Sequence, residues 1–131
     1  GLAMEQSGTA LWLVNTIMAP FTDCGPLVVL ALLYLITAIL TELMSNNAAA
    51  VIIAPIGLSI AASMDVDPRP FLVAITFAAS TSFATPIGYQ TNTMIHAPGG
   101  YRFMDYTRVG GPLNLIFWAL AVCLIPILWP F

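Results

Sequence analysis

The sequence is poor in charged residues. Its 131 residues include no lysine, three arginines and six acidic residues, so only 7% of the chain is charged, whereas a soluble domain usually has about a quarter. There is no basic stripe to neutralise phosphates, which excludes nucleic-acid binding. Cys24 and Cys123 follow no metal or disulfide spacing. No nucleophile-base pair or metal-ligand set is evident either, so we do not expect an enzyme or a cofactor.

The chain is instead rich in long uncharged stretches, and 60% of it is hydrophobic. Residues 43–64, 70–101 and 109–131 contain no charge. As a helix the last stretch would reach about 34 Å, enough to cross a hydrocarbon core of about 30 Å. The sequence therefore predicts an all-α integral membrane protein. Because it opens at Gly1 without an initiator Met, a basic leader region or a cleavage site, we expect a piece of a longer chain.

Prolines, glycines and polar clusters divide the chain into four predicted parts. Residues 2–21 mix polar and apolar side chains and predict a helix lying along the membrane interface. Residues 27–63 predict a helical hairpin, residues 71–100 a discontinuous transmembrane helix, and residues 109–129 a last transmembrane helix. The charged, proline-containing loop 65–70 and the loop 101–108 separate the last three parts.

The hairpin tip is predicted at Ser45, Asn46 and Asn47, which interrupt an otherwise apolar run. The helices on either side are expected over 27–44 and 48–62, and the second would be about 23 Å long, too short for a full crossing. This favours a re-entrant hairpin, since exposed backbone at membrane depth is tolerated where it lines a cavity in the protein. A tight turn between two spanning helices is the alternative.

The discontinuous helix is predicted to break at Thr85, Pro86 and Gly88, after an apolar helix over 71–84. The surrounding run, residues 80–93, is rich in hydroxyl and amide side chains but has no charge. Broken helices expose carbonyl oxygens that coordinate Na⁺, which prefers oxygen ligands. The pattern therefore favours an ion site built from dipoles. Alternatively, these hydroxyls bond to their own helix and let helices pack closely.

Glu42 is an ionisable residue one turn before the predicted tip. Such a group at membrane depth is costly and often functional, so Glu42 is a possible proton or cation site. The alternative is a carboxyl group that packs against a polar neighbour and stays protonated.

These motifs resemble the divalent-anion:sodium symporters, which include the sodium:sulfate and sodium:dicarboxylate transporters. That family places a Ser-Asn-Thr motif at each of two hairpin tips, followed by Ala and later Pro-Ile, and the chain matches at Ser45, Asn46, Ala48, Pro55 and Ile56. The family's broken helix has Ser, Phe, Pro, Asn and Gly at spacings that the chain matches at Ser80, Phe83, Pro86, Asn92 and Gly99.

The resemblance implies the second of two inverted repeats and Na⁺-coupled transport of a divalent anion by alternating access. It implies that Ser45 and Asn46 contact both Na⁺ and substrate, that Asn47 contacts substrate, and that Asn92 and carbonyls near Gly88 complete the Na⁺ site. It also implies a multi-pass protein of the cell membrane, or of the inner membrane in a bacterium. The expected partners are the anion, the lipid bilayer, the N-terminal repeat of the same transporter and a second copy in a homodimer.

The chain departs from the family pattern at two places. Asn47 replaces the motif's Thr, and Tyr89-Gln90-Thr91 replaces the Thr-Pro-Pro common in dicarboxylate carriers. The run Pro-Ile-Gly-Tyr-Gln-Thr-Asn at residues 86–92 is more similar to the sulfate-type and uncharacterised bacterial branch of the family, which implies sulfate rather than succinate. Two alternative functions remain: a proton-coupled or arsenite-type anion carrier that uses Glu42, and an accessory membrane subunit that transports nothing.

Overall fold

The computed structural model describes residues 12, 16 and 24–131. Residues 24–131 contain five helices and no strand: α1 (Pro26–Thr41), α2 (Asn46–Met64), α3 (Arg69–Ser80), α4 (Gln90–His96) and α5 (Phe103–Leu128). The all-α prediction is thus confirmed for this part of the chain. The helix expected over 2–21 lies outside the described residues, apart from Trp12 and Thr16.

Helices α1 and α2 occupy the segment expected to form the hairpin. Pro26 begins α1, where its fixed φ suits the first turn and its missing N–H costs nothing. After a short turn, Ser45 caps α2, since its hydroxyl accepts a hydrogen bond from Ala48 N (3.2 Å). Helix α2 has 19 residues, more than the expected 48–62, so its length of about 28 Å approaches a full crossing. Whether the hairpin is re-entrant stays a prediction.

Helix α3 ends at Ser80, four residues before the end expected from the sequence, so the helix predicted over 71–84 was wrong at this end. Pro86 disfavours helical backbone at the preceding residue, and its ring clashes with the carbonyl four positions earlier. The Thr81 side chain also bonds to one of the last carbonyls, since Thr81 Oγ1 donates to Ala78 O (3.0 Å). Residues 81–89, called the break below, are not helical.

Helix α5 begins at Phe103, so most of the predicted loop 101–108 is helical and the last helix is longer than the expected 109–129. Asp105 makes this early start possible, because its carboxylate accepts a hydrogen bond from Arg102 N (2.7 Å) in a capping box. Gly110 lets α5 approach the break, since a Cβ at this position would overlap the backbone of Phe83.

The core lies among α1, α2 and α3, which pack against one another and bury apolar side chains such as Leu33, Ile53 and Phe71. Helix α5 packs against α1 and α3 but remains mostly exposed. Of the described helices, α2 and α5 are long and apolar enough to cross a membrane. In the most apolar window of α5 only 6% of residues are buried within the chain, so most of its apolar surface must be covered by lipid or by other protein.

Candidate functional site

The turn between α1 and α2 and the break face each other across a cavity of about 580 Å³. We call it the site cavity. From the turn and the start of α2 it is lined by Leu43, Met44, Ser45, Asn46 and Asn47, and from the break and the start of α4 by Ile87, Gly88, Tyr89 and Gln90. None of these residues is charged. Any ion that enters therefore meets hydroxyl, amide and backbone dipoles.

Of the predicted site residues, Ser45, Asn46, Asn47 and Gly88 line this cavity together. Their closeness in space follows from the packing of α1 against α3, which brings the end of one helix to the end of the other. No donor in the described part of the chain is hydrogen-bonded to the Gly88 carbonyl.

Thr41, the last residue of α1, holds Asn46. Thr41 Oγ1 lies 2.7 Å from Asn46 Oδ1 and 2.9 Å from the Ala79 carbonyl oxygen. A hydroxyl has one proton, whereas rotating an Asn amide exchanges its oxygen and nitrogen. Thr41 Oγ1 donates to Asn46 Oδ1 or, with the Asn46 amide rotated so that Nδ2 donates to Thr41, to the Ala79 carbonyl oxygen. Only the rotated arrangement leaves Asn46 Oδ1 without the Thr41 hydrogen bond.

Asn92 does not line the site cavity. Its Nδ2 donates to the carbonyl oxygens of Ser82 and Thr85, both at 3.0 Å, and so clamps the break from the α4 side. Its own carbonyl accepts a hydrogen bond from Tyr106 Oη (3.1 Å) on α5. The geometry therefore connects Asn92 to the cavity through the backbone of the break.

Glu42, just after α1, accepts hydrogen bonds from the break and from α5. Ala84 N donates to Oε1 (2.9 Å), Thr85 Oγ1 to Oε2 (2.7 Å) and Asn114 Nδ2 to Oε1 (3.1 Å). The residue is only 9% exposed, and all three partners are uncharged. Thr85 also accepts a hydrogen bond from Gly88 N (2.9 Å). The carboxylate thereby fixes the conformation of the break.

Gly88 has no room for a side chain. A Cβ at this position would collide with Ser82 Oγ and with Glu42 Oε2. The predicted break residues Thr85, Pro86 and Gly88 thus all lie in the non-helical segment, with Gly88 between the carboxylate of Glu42 and the site cavity.

Sequence reasoning missed Thr41 and Asn114. Thr41 resembles any threonine of an apolar helix, and only its position beside Glu42 near the predicted tip hinted at a role. Asn114 is the single amide side chain in the uncharged run 109–131, a signal that was available. Its hydrogen bond to Glu42 joins residues 72 positions apart, which no local pattern reports.

The sequence of the chain matches a family of transporters. A family profile described as citrate transporter (CitMHS) matches residues 1–131. The chain is similar to the uncharacterized transporter sll0640 of Synechocystis, with 48% identity over 116 residues, which are 88% of this chain and 19% of that protein. It is 35% identical over 121 residues to sodium/sulfate cotransporter 1 of Chlamydomonas reinhardtii, covering 92% of this chain and 14% of that protein.

A mammalian relative is also similar: solute carrier family 13 member 2 of Oryctolagus cuniculus is 32% identical over 112 residues, 86% of this chain and 19% of that protein. These matches confirm the resemblance to divalent-anion:sodium symporters and identify a family of membrane transporters, not enzymes. The chain spans about a fifth of the length of the most similar of these relatives.

Proposed function

We propose, since this chain belongs to the citrate transporter family, that the complete protein is a secondary active transporter carrying a divalent anion across a membrane together with Na⁺. The observation that carries the proposal is the charge-free cavity between the turn of the α1–α2 hairpin and the break. Broken helices with unpaired backbone groups at membrane depth are the usual ion sites of secondary transporters.

In the proposed site, Na⁺ is bound by Ser45, by Asn46 Oδ1 and by the Gly88 carbonyl. Uncharged oxygens suit Na⁺ because they replace its hydration shell. Asn92 contributes by holding the carbonyls of Ser82 and Thr85 and thus the shape of the break. Glu42 holds the break behind Gly88 through the hydrogen bonds that it accepts from Ala84 N and Thr85 Oγ1.

The anion is proposed to bind next to this Na⁺, against Ser45, Asn46 and Asn47. These residues form the start of the 19-residue helix α2, where backbone N–H groups and the helix dipole favour negative charge. None of the residues that line the cavity is Lys or Arg, so the bound Na⁺ supplies the positive charge that the anion requires. Cation binding therefore precedes anion binding, and this order couples the two fluxes in alternating access.

Sulfate is the proposed substrate in preference to a dicarboxylate. Asn47 and Gln90 line the cavity with neutral amide donors. Gln90 lies in the run that replaces the Thr-Pro-Pro of dicarboxylate carriers, and Asn47 replaces the Thr of the family motif. Relatives named sodium/sulfate cotransporter support the choice. A compact tetrahedral anion uses short-range amide donors on several sides, whereas a dicarboxylate needs two separated anion sites.

The complete protein is proposed to be multi-pass and to reside in the cell membrane, with this chain as one of two inverted repeats. Two findings support this: the chain covers about a fifth of the length of the Synechocystis relative, and α5 leaves most of its apolar surface uncovered. The homodimer stays a prediction from the resemblance.

The test is uptake of labelled sulfate by the complete protein in proteoliposomes, with an inward Na⁺ gradient or an equal K⁺ gradient. We expect sulfate uptake with Na⁺ only, and competition by unlabelled sulfate but not by succinate. Asn46→Ala should abolish the Na⁺ dependence. Ser59→Ala serves as the matched control, because among the described residues the Ser59 hydroxyl bonds only to Pro55 O of its own helix. Equal uptake in both gradients would overturn Na⁺ coupling, and preferential competition by succinate would overturn the choice of sulfate.

A further inference from the structure

A second polar site lies on the other side of the break, in a groove between α1 and α5. The groove has a volume of about 490 Å³. We call it the lateral groove. Glu42, Ala84 and Asn114 lie along it, and the rest of its lining is almost entirely apolar, including Leu35, Ile39 and Trp118. It shares no lining residue with the site cavity.

Glu42 has no cationic partner in the described part of the chain. Its three hydrogen-bond donors are neutral, and Arg69, Arg102 and Arg108 all lie at exposed positions. Hydrogen bonds offset part of the cost of a buried carboxylate, but an unpaired charge in a low-dielectric setting remains expensive. A bound monovalent cation would remove this cost.

Asn114 supplies a second oxygen without a partner. Its Nδ2 donates to Glu42 Oε1, while its Oδ1 is buried and receives no hydrogen bond. Rotating the amide would turn Oδ1 toward the carboxylate oxygen, which is repulsive, so the carboxylate fixes the orientation seen here. A buried, unpaired carbonyl oxygen requires either a donor or a cation.

From these observations we propose that Glu42 and Asn114 form a second Na⁺ site, separate from the one at Asn46 and Gly88. Both ligands are hard oxygens, and the single negative charge matches a monovalent rather than a divalent cation. The groove is large enough for the ion to keep some of its water. The inference rests on the proposed function, because it adds a second coupling ion to the same transport cycle.

The consequence for transport is electrostatic. The Gly88 backbone packs between Glu42 Oε2 and the site cavity, so an ion at Glu42 acts on the first Na⁺ and the anion across one peptide. An ion at Glu42 also changes the strength of the hydrogen bonds that Oε1 accepts from Ala84 N and Oε2 accepts from Thr85 Oγ1. Cation binding in the lateral groove would therefore change the conformation of the break, which forms part of the first site.

The test measures radiolabelled Na⁺ bound per protomer of the purified complete transporter, together with Na⁺-driven sulfate uptake. We expect Asn114→Ala and Glu42→Gln each to bind one fewer Na⁺, or to raise the Na⁺ half-saturation concentration at least about tenfold. Asn46→Ala should lose the Na⁺ bound at the site cavity, and the double variant Asn46→Ala, Asn114→Ala should bind two fewer Na⁺ than wild type. Elution of each variant as a single species on size exclusion establishes that it is folded.

The variant Asn114→Asp distinguishes a role of Asn114 as a Na⁺ ligand from a role as a structural support of Glu42. Asp keeps an oxygen ligand but loses the N–H that Glu42 accepts, so a ligand role predicts that Asn114→Asp binds Na⁺ at least as well as wild type. A support role predicts that it behaves like Asn114→Ala. Full Na⁺ binding with unchanged affinity in Asn114→Ala, or failure of Asn114→Asp to retain binding, overturns the second site while leaving the first intact. Absence of Na⁺-driven uptake in wild type would instead overturn the proposed function.

Discussion

Asn46 and Asn92 lie on different sides of the break and are joined by three consecutive hydrogen bonds. Asn46 bonds to the Thr41 side chain, Ser82 Oγ donates to the Thr41 carbonyl oxygen (3.2 Å), and Asn92 Nδ2 donates to the Ser82 carbonyl oxygen (3.0 Å). The two residues were expected to bind the same ion directly. The structure places only Asn46 at the cavity, and it places Asn92 where it stabilises the backbone.

Thr41 is the first link in this connection, so Thr41→Val should weaken Na⁺ binding without changing the shape of the helix. We expect the Na⁺ half-saturation concentration for sulfate uptake to rise about tenfold, with little change in the maximal rate at saturating Na⁺. Thr37→Val is the matched control, because Thr37 is equally buried on α1 but, within the part of the chain that the structure describes, donates only to Leu33 O of its own helix. Equal effects of the two variants would contradict the role given to Thr41.

Asn92→Asp should disrupt the break through its backbone. The substitution keeps the size of the side chain but replaces two N–H donors with a carboxylate oxygen facing two carbonyls. Each lost hydrogen bond in a buried setting costs about 1–3 kcal/mol, and the added charge repels the carbonyl dipoles. Na⁺-dependent uptake should be lost, and Asn92→Ala should weaken it less. Thr91→Ala, a change at the exposed neighbouring residue, should leave uptake intact. Normal Na⁺ dependence in both Asn92 variants would remove this residue from the site.

Gly110→Ala should lower the melting temperature of the complete protein. A methyl group there would overlap the backbone of Phe83, so α5 must move away from the break. Overpacking of this kind costs about 1–3 kcal/mol. Gly111→Ala is the neighbouring control, because nothing lies within 4 Å of its added Cβ and alanine favours the helix by up to about 1 kcal/mol. Thermal unfolding followed by size exclusion compares the two, and similar melting temperatures would contradict the close contact.

Asn47→Thr should alter the binding of the anion rather than the binding of Na⁺. Asn47 is exposed at the site cavity and contributes no ligand to the proposed Na⁺ site. Replacing it with the residue that the family motif carries should raise the KM for sulfate several-fold and increase competition by succinate. The Na⁺ half-saturation concentration should stay as in wild type. Kinetics of labelled sulfate uptake, with each substrate varied in turn, check both statements. A change in Na⁺ affinity alone would show that Asn47 contributes to the Na⁺ site instead.

The end of α3 shows where pattern reading was imprecise. Apolar residues continue to Ala84, so periodicity alone extended the helix to that point. The helix stops at Ser80, where side chains of Thr41 and Thr81 satisfy its last carbonyls, and Pro86 prevents its continuation. One of these hydrogen bonds comes from α1, 38 residues away in sequence, and a local pattern contains no information about it.

Sequence by itself determined the class of this protein. The scarcity of charge and the long apolar runs require helices in a membrane, and Pro86 with Gly88 requires an interruption among polar side chains. These properties depend on hydrophobicity and on local backbone sterics, which each short segment carries within itself.

Only the tertiary structure decided which polar groups meet. In the fold Asn46 contacts Thr41, and Asn92 bonds to the backbone of the break. Asn114 of the last helix bonds to Glu42. Such contacts arise from the packing of α1 against α3 and α5, in which distant segments satisfy one another's buried hydrogen-bonding groups. Each segment carries its own polar residues, but the packing of the helices determines which of these residues are hydrogen-bonded to one another.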